Sequence, residues 1–336
     1  MDDRIETVEL PAEALRQYIN ARQAFLALRE AQTAAQAYRG GMIWREQGGR
    51  TYLVRTAPTG SQKGMGARTP ETEAIHASFV TRKAALESRR THLAKSLDTH
   101  QRLNKALFVG RVDDIVVATL NALHQSGLEH NFTVVGTNAL YAYEAKAGVR
   151  VEERHLATND LDLLWDNRRK LRLAVQQELS EHGLLGILKR IDKSFELRAD
   201  QPYTAINKDG FEVDVLRRLG PGSDREPARL SGLEDDFWAV KARNADWLLS
   251  APKFHQMVVS STGRMAEMVT VDPRAFVLFK LWMAQDRLRD PLKRTRDANQ
   301  AKVVLKLIEE RMPDLSFADI RIFPNEVAGL LPAATT

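Results

Sequence analysis

The sequence predicts an α+β protein, on three observations. Two long stretches near the N-terminus are rich in helix formers and nearly free of Gly and Pro. Short segments of alternating apolar and polar residues run through the middle of the chain, and two further helical patterns close it. These give a helical arm with an inserted β-hairpin at 1–107, a central domain of strands and helices at 108–272, and a C-terminal helical cap at 273–336.

The first helix is expected from Pro11 to Tyr38, where Ala, Leu, Arg, Gln and Glu dominate, and Gly40-Gly41 ends it. Met42 to Arg45 and Thr51 to Val54, on either side of Gly48-Gly49, read as a hairpin. Thr56 to Thr69, with its Pro, Gly and Ser, reads as a loop, and Pro70 to Leu107 as a second long helix. An aromatic residue in a short hairpin is there to pack, so the arm reads as a packing or dimerisation element. The rival reading is a clamp offering Trp44, Tyr52 and nearby Arg and Lys residues to a substrate. Beyond the arm, Ile115, Val116, Leu120 and Leu123 recur on one helical face, Phe132 to Val135 is a strand, and Asn138 to Ala147 a helix. Arg168 to Glu181 reads as helix, and Ser194 to Arg198, Tyr203 to Ile206 and Phe211 to Leu216 as strands, the last two joined by the turn Asn207-Lys208-Asp209-Gly210. Lys253 to Ser260 and Arg264 to Val271 form a further hairpin. Pro273 to Asp286 and Thr295 to Arg311 are the closing helices, with Pro291 marking the break.

Composition narrows the function. With 43% hydrophobic residues in 336, the chain can bury substantial cores. No apolar run is long enough to cross a bilayer and the first residues are charged, so a soluble, cytoplasmic protein without a membrane partner is expected. The absence of cysteine rules out disulfides, thiolate metal sites and Cys nucleophiles. No Walker or Rossmann glycine pattern follows a strand, Ser231, Ser260 and Ser261 have no evident His and acid partners, and His155 beside Glu152 and Glu153 has no second His at metal spacing. The formal charge is +5, with cations concentrated in Arg82-Lys83 and Arg89-Arg90, in Arg168 to Arg172, in Arg217-Arg218 and in Arg287 to Arg296. Such runs are often solvated helix faces; together they favour a polyanionic partner.

Three segments carry the chemistry. In Asn159-Asp160-Leu161-Asp162-Leu163-Leu164 the alternation of a strand puts Asp160 and Asp162 on one face and Leu161 and Leu163 on the other. Two like charges on one strand face repel, so they invite a cation, and Mg²⁺ is the usual one where phosphates are handled. Glu212-Val213-Asp214-Val215 repeats the pattern, so Asp214 can complete a three-carboxylate cage of the kind two-metal phosphoryl chemistry needs. Upstream, Val134-Val135-Gly136-Thr137 is a strand running into a helix, which places backbone N–H groups and the positive helix end where an anion can sit.

In this order the three segments resemble the polymerase-beta-like nucleotidyltransferase superfamily. Gly136 to Glu144 and Thr158 to Trp165 are similar to a bacterial group of nucleotidyltransferase-like proteins, and Lys280-Leu281, Arg287 and Arg296-Asp297 resemble positions of the abortive-infection nucleotidyltransferase toxins. The resemblance covers Val134 to Leu307 and implies a mixed sheet closed by a helical domain. It also implies a two-metal Mg²⁺ site on Asp160, Asp162 and Asp214, with Asp214 taking the proton of the acceptor hydroxyl. Gly136, Thr137 and Asn138 are then expected to bind the nucleotide, Lys280 to meet the outer phosphates of an NTP, and Asp297 to orient Lys280 or Arg287 by charge pairing. The implied reaction moves a nucleoside monophosphate to a hydroxyl on RNA, protein or a small molecule with release of pyrophosphate. The basic stretches favour RNA. The alternative is a catalytically silent nucleotide- or RNA-binding module of the same fold. Two departures stand out: 24 positions separate Gly136 from Asp160, which implies an extra turn around Gly148 to His155, and no Arg directly precedes Thr158, Arg154 being shifted.

Overall fold

The computed structural model describes residues 6–166, 177–218 and 228–332. The basic stretch Arg168 to Arg172, and with it the first part of the helix expected there, lies outside the described residues. The elements of the first part of the chain are β1 (Thr7–Glu9), α1 (Ala12–Gln36), β2 (Gly41–Gln47), β3 (Arg50–Thr56), β4 (Gln62–Ala67) and α2 (Pro70–Ala106). They are followed by α3 (Asp114–Gln125), β5 (Phe132–Val135), α4 (Ala139–Ala147), β6 (Val149–Val151), α5 (Glu153–Leu156), β7 (Asp160–Trp165), α6 (Gln177–Ile191), β8 (Glu196–Leu197), β9 (Thr204–Ile206) and β10 (Glu212–Arg217). Last come β11 (Ala228–Arg229), β12 (Trp238–Lys241), α7 (Ala245–Ser250), β13 (Lys253–Val259), β14 (Met265–Val271), α8 (Pro273–Gln285), α9 (Pro291–Arg311) and α10 (Asn325–Ala328). The chain divides into two compact units, residues 13–109 and residues 1–12 with 110–336.

In the first unit α1 buries Ala14, Tyr18, Ala21, Phe25 and Leu28, a three-four spacing that makes one apolar stripe. A polar contact fixes its alignment with α2, Gln17 donating to Asn104 at 2.9 Å. α2 starts where a capping box dictates: the Thr69 hydroxyl accepts from the Thr72 N–H, Thr72 returns a bond to the Thr69 N–H, and Pro70 supplies the preset φ of the first turn. The hairpin gains a third strand, for β4 pairs with β3 inside the stretch expected to be loop. Every residue of β4 is exposed and two are glycines, so it carries none of the alternation by which a strand is read. Trp44 is half-buried: its ring lies 5.5 Å from His76, with the Arg68 guanidinium 5.1 Å from the indole.

The second unit is built on a mixed sheet in the order β11-β12-β10-β7-β5-β14-β13, with β9 antiparallel on β10 and β8 on β9. β7 and β10 run parallel, and β5 antiparallel to β7. Leu161, Leu163, Val213 and Val215 are wholly buried on the core side. Each such side chain contributes about 1.5–3 kcal/mol, enough to hold two aspartates side by side on the opposite face. Tyr143 of α4 reaches the end of β14, its hydroxyl donating to the Val271 carbonyl at 2.9 Å. The extra turn expected between Gly136 and Asp160 is β6 and α5, and β6 pairs with β1. α8 and α9 belong to the same unit as the sheet and pack through Phe276, Val277, Val304 and Ile308. α9 begins at Pro291 rather than Thr295: Asp290 accepts from the N–H groups of Leu292 and Lys293, so this proline starts a helix instead of breaking one. Among the described residues no helix is long and apolar enough to cross a membrane.

Candidate active site

A cleft of about 540 Å³ opens over the ends of β5, β7 and β10 and is walled by α8 and α9. Its floor carries Asp160, Asp162 and Asp214. The parallel register sets Asp214 directly beside Asp162, and Glu212 beside Asp160, so the three predicted acids share one sheet face. The Asp162 carboxyl is pushed up to about 7, first by burial and then by the charges of Asp160 and Asp214, with Lys280 and Arg296 opposing. Asp214 is raised too, by burial and by the charges of Asp160 and Glu212, although the Thr204 hydroxyl donates to it at 2.5 Å and Arg198 opposes. Asp160 accepts a bond from the Thr158 hydroxyl. Both hydroxyl partners escaped the sequence reading. Thr204 is the cross-strand neighbour of Asp214 in the β9–β10 hairpin, so working out the hairpin register would have found it.

The Gly-Thr-Asn turn after β5 divides its roles. Gly136 has a φ of +68°, and a Cβ there would stand 2.1 Å from an Asp162 carboxylate oxygen, so only glycine lets the turn lie against the acid. The Thr137 oxygen accepts from Arg296 at 2.9 Å and from Gln300 at 3.1 Å, which ties the turn to α9 and leaves the hydroxyl hydrogen to donate. Asn138 is buried and its amide donates to the Asp160 carbonyl at 2.6 Å. Gly136 and Thr137 line the cleft, whereas Asn138 fastens the acid strand from behind.

The facing wall is cationic. Lys280 donates to Asp297 at 2.7 Å, and Arg289 meets the other Asp297 oxygen at 2.5 Å. Asp297 is 2% exposed and draws both cations together. The partner it shares with Lys280 is thus Arg289; Arg287, expected at this place, is exposed. Burial holds the Lys280 ammonium below its usual range despite the Asp297 charge. Lys293 and Arg296 also line the cleft, and Arg296 donates to the Ala157 carbonyl, which sets a guanidinium beside the residue before Thr158. Arg154 instead pairs with Glu152 at 2.8 Å. The remaining edge is apolar, formed by Phe279, Trp282 and Met283, with Arg243 5.2 Å from the Trp282 ring centre. Sequence reasoning missed this aromatic edge because an aromatic at helical spacing reads as core.

Hard oxygen donors on the floor fit Mg²⁺ in kind. Among the described residues no three acidic, His or Cys side chains stand close enough to hold a metal ion as they lie. The Thr158 and Thr204 hydroxyls hold one oxygen each of Asp160 and Asp214, leaving the second oxygens and Asp162 to face the cleft. Burial together with the charges of Asp160 and Asp214 lifts Asp162 despite Lys280 and Arg296, and a cation at the floor would relieve it.

A family model described as nucleotidyltransferase matches residues 114–321, which contain every element of this cleft. The chain belongs to that nucleotidyltransferase family. Comparisons with curated proteins and with solved structures returned no match.

Proposed function

We propose that the protein is a polymerase-beta-like nucleotidyltransferase that moves a nucleoside monophosphate from an NTP to a hydroxyl of RNA, releasing pyrophosphate. The observation that carries this is the pairing of Asp162 with Asp214 across two parallel strands, facing the cationic wall of Lys280, Arg289 and Arg296. Asp160, Asp162 and Asp214 would hold Mg²⁺, in the two-metal arrangement, and the ions would supply positive charge to the attacking and leaving oxygens. Asp214, whose carboxyl is raised chiefly by burial, accepts the proton of the acceptor hydroxyl. The hydroxyl oxygen bonds to the α-phosphorus as the bond to the bridging oxygen breaks, and pyrophosphate carries away the electron pair. Lys280 and Arg289, held in place by Asp297, meet the outer phosphates, together with the N–H groups of the Gly136-Thr137 turn. Phe279 and Trp282 offer the base a stacking surface. The closer kinship with abortive-infection toxins is supported by the Lys280–Asp297 pair.

The test incubates the protein with each NTP radiolabelled at the α-phosphate, Mg²⁺ and total cell lysate, beside an Asp160→Ala/Asp162→Ala control. Label in nuclease-sensitive material, lost in the control, is the expected result. Label in protein or in a small molecule would replace the acceptor, and no transfer with any nucleotide would leave a silent binding module.

A further inference from the structure

We infer that the unit of residues 13–109 is a binding module for single-stranded nucleic acid, independently of what the cleft catalyses. The charge of the chain is segregated: this unit carries 16 Lys and Arg against 7 Asp and Glu, a net +9, whereas the rest of the chain carries 33 against 37. Seven carboxylates cannot match sixteen cations, so the excess of nine is unbalanced within the unit itself. A solvated helix surface accounts for cations mixed with acids, not for a surplus of this size in 97 residues.

The surplus is also shaped. Where α1 ends against the three-stranded sheet, a groove of about 480 Å³ is lined by Arg39, Arg55 and Lys63 among Gln36, Gln62 and smaller residues. Arg39 and Lys63 are exposed. Arg55 donates to four backbone carbonyls, those of Ala37, Arg39, Gly41 and Thr56, so it fixes the groove and adds its charge. A second groove, of about 430 Å³, is lined by Tyr38, Phe79 and Arg82. The rings of Tyr38 and Phe79 lie 5.4 Å apart, both only partly covered. Tyr38 and Arg39 are consecutive, so one groove offers the exposed cations Arg39 and Lys63 and the next offers the half-covered Tyr38 ring and the Arg82 guanidinium, the Phe79 ring being backed by Arg55 at 4.6 Å. Backbone tracking by cations with bases stacked on aromatic rings is how single strands are held without sequence preference. A duplex hides its bases and can use only the charges.

The test is fluorescence anisotropy of a labelled short mixed-sequence RNA, and of the same sequence as DNA, with full-length protein and neither NTP nor Mg²⁺ present. We expect a Kd below about 10 µM at physiological salt, with duplex RNA a weaker competitor. Arg39→Glu/Lys63→Glu should weaken binding at least tenfold and flatten the slope of log K against log salt by about 1.4, the value for two phosphate contacts on a single strand. Tyr38→Leu keeps the packing on Phe79 and should weaken binding about tenfold with the slope unchanged. Circular dichroism of both variants should match the parent. Preference for RNA or equal binding of RNA and DNA each supports the module and identifies its source. Duplex bound as tightly as single strand, affinity unmoved by both variants, no binding at all, or tighter capture by phosphatidylglycerol vesicles than by RNA would overturn it. Loss of nucleotide transfer in the cleft would not bear on these outcomes.

Discussion

Asp162 and Asp297 are both aspartates drawn largely out of water on opposite sides of one cleft, and the fold treats them in opposite ways. Asp297 has each oxygen on a cation, Lys280 on one and Arg289 on the other. Asp162 is buried and faces two further acids, and burial first, then their charges, push its carboxyl up to about 7. Internal pairing of Asp297 makes the wall rigid, while the unrelieved charge on the floor makes a place for something positive. A buried acid that the protein itself neutralises is a structural part; one that it leaves in conflict is a candidate for chemistry.

The largest effect should come from breaking the floor. Asp162→Asn is expected to lower nucleotide transfer by at least about 10²–10³-fold while raising the urea midpoint, because the like-charge repulsion goes. The pH dependence of that stability difference follows from the raised carboxyl. Below pH about 4 the acid is protonated in both folded and unfolded chains and costs nothing. Between about 4 and 7 the unfolded chain binds fewer protons than the folded one, so stability falls as pH rises, and the loss is complete above the folded value of about 7. The gap in urea midpoint between Asp162→Asn and the parent should therefore be small at pH 4 and widest at pH 8, and millimolar Mg²⁺ should narrow it at pH 8.

Breaking the wall should move stability the other way. Asp297→Ala leaves two cations without their carboxylate and should cost about 3–5 kcal/mol in urea unfolding, with activity falling through the lost position of Lys280. Gly136→Ala sharpens the comparison at the point where the turn touches the floor. The methyl would collide with Asp162 in a backbone conformation that disfavours any side chain, so a loss of about 1–2 kcal/mol in a thermal melt and of about a hundredfold in transfer is expected. The smallest effect belongs to Thr204→Val, which removes a donor from Asp214: a several-fold drop in kcat/KM, with the acid limb of its pH profile moved upward.

The floor was legible in the sequence and the wall only in part. Strand alternation in Asp160 to Leu164 and in Glu212 to Val215 assigns each residue to a face without further information, and the structure keeps every assignment. Charge pairing across helices has no such period. Arg287 and Arg289 are two residues apart in one basic run, and only the path of the chain between α8 and α9 decides which one meets Asp297. β4 escaped because a strand of exposed Lys and Gly has no buried face to alternate with. Pro291 was visible but ambiguous, since the same ring that ends a helix also starts one when an Asp precedes it.

The face of α9 that meets the cleft is spelled Lys293, Arg296, Asp297 and Gln300, steps of three, one and three residues. Each residue along a helix turns the face by about 100°, so one residue inserted between Lys293 and Arg296 would swing Asp297 away from Lys280 and Gln300 away from Thr137 together. The link from Asp286 to Asp290 ahead of the cap keeps no helical phase but must still bring Arg289 to Asp297. Within α9 the count of residues is therefore fixed, as a key is held to the spacing of its teeth.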